Sequence, residues 1–102
     1  MAIKKQYLKS KSICKVTFKI APEVGGAAKT ATVVGDFNNW SAAANPMKKL
    51  KNGAFTATID LATGREYQFR YLLDKNKWEN DGESDKFAAT PYADSKNSVV
   101  VT

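Results

Sequence analysis

The chain keeps returning to a period of two. In residues 12–20, Lys15, Thr17 and Lys19 fall on one side, and Val16, Phe18 and Ile20 on the other. Residues 54–61 repeat the pattern, with Phe55, Ala57 and Ile59 opposite Thr56, Thr58 and Asp60. In residues 66–74, Tyr67, Phe69, Tyr71 and Leu73 share one face, while Gln68, Arg70 and Leu72 share the other. Such alternation turns one face of a strand to a core and the other outward. Residues 29–36, 47–50 and 97–102 add β-branched or apolar runs that suit a pleated surface. Breakers separate the runs: residues 21–28 hold Pro22 and Gly25-Gly26, and Asn52-Gly53 is a favoured hairpin pair. No helical stripe competes. Short strands at roughly ten-residue spacing specify an all-β antiparallel sandwich, here of six to eight strands.

A chain of 102 residues makes one domain and buries a core without metal or disulfide staples. The lone Cys14 reads as a small buried hydrophobe. No apolar run is long enough to cross a bilayer, so no membrane partner is expected. The start of the chain has positive charge but no apolar stretch of a secretory signal, and a free cysteine suits the cytoplasm. The net charge is +6 and unevenly placed. Residues 1–22 carry six lysines and no acid, and the remainder balances. Residues 1–11 are therefore read as a basic, partly flexible segment, and residues 12–102 as the sandwich. Only Tyr7 interleaves the first lysines, so a nucleic-acid partner is not expected.

Val33-Val34-Gly35-Asp36-Phe37-Asn38-Asn39-Trp40 begins as a strand and ends as a polar turn. Gly35 permits close backbone approach or a bend. Asp36, Asn38 and Asn39 are turn formers. Trp40 then stands beyond the strand, either presenting its ring to solvent or folding back as a lid on the core.

Catalytic chemistry finds little footing. With no histidine, the commonest general base and metal ligand is missing. A Cys/His metal site is impossible, and no phosphate-cradling glycine loop is present. Glu79, Asp81, Glu83 and Asp85 cluster in one polar stretch that reads as a solvated loop. A calcium site there lacks the full EF-hand spacing. The chain reads as a binder, with no catalytic residues, metal or cofactor.

The binding constellation is more specific. Trp40 and Trp78 each follow a polar turn that ends a strand. Strand ends of one sheet gather at one end of a sandwich, where two indoles would form a platform. Arg70 lies on the strand face opposite the aromatic row, and Asn97 brings amide donors and an acceptor at the start of the last strand. Flat rings edged by such groups suit sugars, which carry C–H faces and hydroxyl edges.

These residues carry a resemblance. Gly35-Asp36-Phe37-Asn38-Asn39-Trp40-Ser41, then Met47 and Leu50, then Gly53-Ala54-Phe55, then Tyr67-Gln68-Phe69-Arg70-Tyr71-Leu72-Leu73-Asp74 with Trp78, then Asn97-Ser98-Val99-Val100-Val101 form an ordered set. The set resembles the glycogen-binding, early-set immunoglobulin-like domains of isoamylases, branching enzymes and the beta subunit of AMP-activated protein kinase. The match runs from about residue 12 to residue 102. It implies an immunoglobulin-like sandwich and an α-1,4-glucan ligand of the glycogen or starch type. It further implies that Trp40 and Trp78 stack on glucose rings while Arg70 and Asn97 bond hydroxyls. Arg70 stands where lysine is usual, and the turn before Trp78 is a residue longer than the family's. Residues 90–95 depart from the family's apolar loop, and Tyr92 is expected to substitute for it. A glycogen-metabolising enzyme is a further expected partner. The alternative is a protein-interaction module that keeps the fold without binding sugar.

Overall fold

The computed structural model describes residues 2–8, 11–41, 44–81, 84–89 and 96–102. Its strands, in chain order, are β1 (Ala2–Tyr7), β2 (Ile13–Ile20), β3 (Ala31–Gly35), β4 (Lys48–Lys49), β5 (Phe55–Ala62), β6 (Glu66–Leu73), β7 (Lys77–Glu79), β8 (Lys86–Ala89) and β9 (Lys96–Val101). One sheet has the order β1-β2-β5-β4. The other has the order β3-β6-β9-β8, with β7 paired to β6 as well. All pairings are antiparallel, and the two sheets pack as an immunoglobulin-like sandwich. A helical turn at Pro22–Gly25 and a single 3-10 turn at Asp36–Asn38 interrupt the strands.

The alternation read from the sequence is the packing. Cys14, Val16, Phe18 and Ile20 of β2 are fully buried, while Lys15 and Lys19 between them are exposed. Phe55 and Leu61 of β5 join the same core, as do Phe69, Tyr71 and Leu73 of β6. Aromatic rings bridge the layers: the Phe18 and Phe69 centroids are 4.9 Å apart, edge to face. Burying a Phe or Ile side chain is worth about 1.5–3 kcal/mol, so this row supplies much of the fold's driving force.

Three strands, β1, β7 and β8, lie outside the runs that the sequence marks as strands. β1 occupies the lysine-rich start, where Ile3 sits opposite Phe18 and packs on the core. Lys5 points inward at that sheet edge and meets Asp85 at 2.6 Å, just before β8 on the other sheet. The ion pair bridges two edge strands, and an inward charge at an edge discourages pairing with other chains. β7 and β8 arise within the polar stretch after Asp74.

That stretch is not a uniformly solvated acidic loop. Asp81 is fully buried. Its carboxyl accepts the Tyr71 hydroxyl at 2.7 Å, and its backbone N–H donates to Ser98 Oγ at 2.7 Å. Asn80 accepts from the Ser98 backbone N–H at 3.1 Å and donates to Lys96 O at 2.9 Å. These bonds pin the exit of β7 onto β9. Burial, with the neighbouring Asp81, pushes the Tyr71 hydroxyl pKa well above its ordinary value.

Candidate functional site

The two outward faces of the sandwich differ in kind. On the first sheet, outward Lys15 and Lys19 are exposed beside Thr17 and Thr58, whose hydroxyls are 3.0 Å apart. On the second sheet the row facing away from the core includes Val34, Leu72 and Val99, and all three are buried. Gln68, Arg70, Trp78 and Asn97 project from that same face.

Arg70 stands in the middle of β6, opposite Val34. Its Nε donates to Asn97 Oδ1 at 2.6 Å and its Nη2 to Lys96 O at 2.9 Å. Asn97 in turn donates from Nδ2 to Gln68 Oε1 at 2.9 Å. Register explains the meeting: Gln68 faces Val99 across the β6–β9 ladder, so Asn97, two residues earlier on β9, projects from the same face. A guanidinium carries five N–H donors. The bonds to Asn97 and Lys96 use two of the five. Gln68, assigned from the sequence only to this strand face, thus joins the two polar residues singled out there.

Trp40 is positioned by the turn that follows β3. Gly35 lies so close to β6 that a Cβ would come within 2.5 Å of Gln68 O and 2.8 Å of Phe69 Cβ. Asn38 locks the turn: its Oδ1 accepts the Gly35 N–H at 3.0 Å, and its Nδ2 donates to Val33 O at 3.1 Å and to Asn45 Oδ1 at 2.7 Å. Asn39 and Trp40 then take left-handed backbone conformations, φ 56° and 58°. Asn tolerates that region, but a bulky tryptophan there is uncommon and carries strain. The Trp40 indole N–H donates to Asp36 Oδ1 at 2.9 Å, and Asp36 Oδ2 accepts the backbone N–H of Gln68 at 2.8 Å. With its polar corner satisfied, the Trp40 side chain remains 37% exposed. It is not a lid on the core.

Trp78 is 47% exposed and sits opposite Leu72 across the β6–β7 ladder. The turn between these strands places Asp74 and Lys75 at φ 50° and 63°. Asp74 Oδ1 anchors it by accepting the backbone N–H of Lys29 at 2.7 Å and of Thr30 at 3.1 Å. Those bonds, from Thr30 foremost, hold the Asp74 pKa below its ordinary value.

The tryptophans do not share one end of the sandwich. β3 and β6 are antiparallel, so the turn after β3 leaves beside Gln68 and the turn after β6 leaves beside Ala31. β7 folds back and returns Trp78 to the level of Leu72. Levels Gln68 and Leu72 are four residues apart, about 13 Å along the strand, with Arg70 midway. Trp78 projects from the same sheet face as Leu72 and Arg70, and Trp40 is tethered at the Gln68 level. Tyr92 lies outside the described residues. Among the described residues, no three His, Cys, Asp or Glu side chains gather where a metal ion could sit, and no helix is long and apolar enough to cross a membrane.

Comparison with curated proteins finds no match to the chain. Residues 25–93 match the family model for carbohydrate-binding module 48, the isoamylase N-terminal domain. That span takes in Trp40, Arg70 and Trp78, together with Asp36 and Gln68. It covers more than half of the chain, which belongs to the carbohydrate-binding module 48 family.

Proposed function

We propose that the protein binds α-1,4-glucan of the glycogen or starch type, without catalysis, on the outer face of the β3-β6-β9-β8 sheet. The observation that carries this reading is the hydrogen-bonded Arg70–Asn97 pair between two partly exposed indoles. Trp40 and Trp78 stack on glucose rings, and the free N–H groups of Arg70, Asn97 and Gln68 bond ring hydroxyls. Tyr92 adds a further contact to the sugar. The missing histidine and the already bonded polar groups favour holding a ligand over transforming it. The site brings the chain to the same polymer as a cytoplasmic glycogen-metabolising enzyme, its expected protein partner.

A stacked indole covers part of its surface, about 100 Å². At about 25 cal/mol per Å² this is worth about 2.5 kcal/mol per ring before costs. Association itself costs at least about 4 kcal/mol. Two rings and a few hydrogen bonds therefore give single-site affinity on the order of micromolar to millimolar. A polymer offering many sites raises the apparent strength. Titration with maltoheptaose, followed by tryptophan fluorescence, tests the reading. A saturable shift in emission is expected, and an unchanged spectrum at millimolar sugar would contradict it.

A further inference from the structure

Beside the row of site residues lies a second feature that the glucan reading does not use. A cleft of about 370 Å³ opens at the start of β3, lined by Lys29, Lys49 and Lys75 together with Thr32, Met47 and Phe55. No acidic side chain lines it among the described residues. Asp74 stands next to it, but its Oδ1 is taken by the backbone N–H groups of Lys29 and Thr30. Lys49 Nζ is committed to the carbonyl of Ala28 at 2.8 Å. The ammonium groups of Lys29 and Lys75 have no hydrogen-bond or ion-pair partner among the described residues. Three cations thus surround one cleft, and the Asp74 carboxylate beside it, which attracts Lys29 and Lys49, offsets only one of the three positive charges. Lys75 is also held at φ 63°, an uncommon backbone conformation for a lysine, by the turn that Asp74 anchors.

The cleft lies two strands away from Trp78. Thr32, on its wall, pairs with Leu72, and Leu72 pairs with Trp78. Two strand spacings, about 10 Å, therefore separate the Thr32 and Trp78 backbones. A saccharide stacked on Trp78 would carry its substituents to the cleft mouth. The cleft volume suits a group of phosphate size with part of a sugar ring.

We propose that the Lys29–Lys49–Lys75 cleft binds a phosphomonoester borne on a saccharide, extending the α-glucan site to phosphorylated chains. The inference rests on the glucan reading for the polymer but not for the anion. Free sugar phosphate offers the same chemistry as a phosphorylated glucan, so the test separates them.

Affinity is measured at low salt for amylopectin carrying phosphomonoesters, for the same polymer after phosphatase treatment, and for glucose 6-phosphate alone. Two exposed cation–phosphate contacts are expected to tighten binding by about three- to tenfold, an advantage that fades as salt rises. Lys29→Ala combined with Lys75→Asn should erase the advantage and leave the phosphatase-treated polymer bound as before. Asn is chosen because it tolerates the left-handed backbone. A phosphorylated polymer favoured over glucose 6-phosphate identifies the glucan as the source, and equal affinity identifies the free sugar phosphate. Equal binding of treated and untreated polymer, with no response to glucose 6-phosphate, overturns the proposal. If neither polymer binds, the glucan reading fails by itself. Backbone amide shifts at residues 30–32 with glucose 6-phosphate then decide the cleft: shifts uphold it, and their absence overturns it.

Discussion

The indole N–H of Trp40 donates to Asp36 at 2.9 Å, and this bond fixes an exposed ring to the edge of a sheet. The other Asp36 oxygen takes the Gln68 N–H, so the carboxylate extends the β3–β6 ladder beyond Gly35. Asp36→Ala frees the ring and leaves Gln68 N–H to water. Loss of a hydrogen bond of this exposure is worth about 0.5–1.5 kcal/mol, so glucan affinity should fall about two- to tenfold. Thermal stability should change less than affinity. A variant that binds maltoheptaose like the wild type would show that Trp40 needs no such tether.

Arg70 and Asn97 act as one unit. Removing either leaves the other's hydrogen-bonding group without its partner. Arg70→Met, Asn97→Ala and the double substitution therefore form a cycle on glucan affinity. Neighbours that share a bond couple by about 0.5–3 kcal/mol, and the double variant should lose less than the sum of the singles. Strict additivity would place the two side chains in independent roles.

Tyr71 and Asp81 make a fully buried polar contact. Tyr71→Phe removes the hydroxyl that Asp81 accepts. Deleting a buried hydrogen bond to a carboxyl group costs about 1.5–3 kcal/mol, read as a lower midpoint in chemical denaturation. Sugar affinity should survive, because this pair faces the core and not the Arg70 side of β6. An unchanged midpoint would contradict the assigned contact.

Asp74 ties the acid limb of stability to the β6–β7 turn. Its carboxyl pKa is lowered in the folded state, chiefly by the Thr30 and Lys29 backbone bonds. The unfolded chain therefore binds the proton more readily, and stability rises with pH through that window. The contribution is full above about pH 4, the ordinary aspartate range, and disappears as pH falls through the lower folded value. Asp74→Asn should melt below the wild type at neutral pH and approach it in acid. A gap of constant size from pH 7 to pH 2 would remove Asp74 from this role.

Much of this architecture is legible in the sequence because burial writes itself into alternation. β2 buries every second residue, β5 and β6 turn the same alternating rows toward the core, and Val16, Phe18, Phe55, Phe69 and Tyr71 are buried where the pattern puts them. β7 and β8 leave no such mark: β7 has three residues, and Phe87 of β8 is 40% exposed. Asp81 was unreadable for a related reason. An acid in a polar run looks solvated until Tyr71 and Ser98, brought from distant strands, close around it. Within the site, the polar turns mark where both tryptophans stand, while the exposure of Trp40, left open by the local sequence, rests on its bond to Asp36. The roles of Asp36 and Gln68 are not marked, since they depend on the β3–β6 and β6–β9 registers. The antiparallel run of β3 and β6 likewise sets the indoles along a face, where local sequence suggested a shared end.

Electrophoresis through a gel containing glycogen tests the central claim most directly. The wild type should be retarded relative to a polysaccharide-free gel. Trp40→Ala and Trp78→Ala should each lose most of that retardation while keeping the wild-type melting profile, because each ring contributes about 2.5 kcal/mol before costs. Wild-type retardation of both variants, or none for the wild type, would contradict a glucan site built on these two rings.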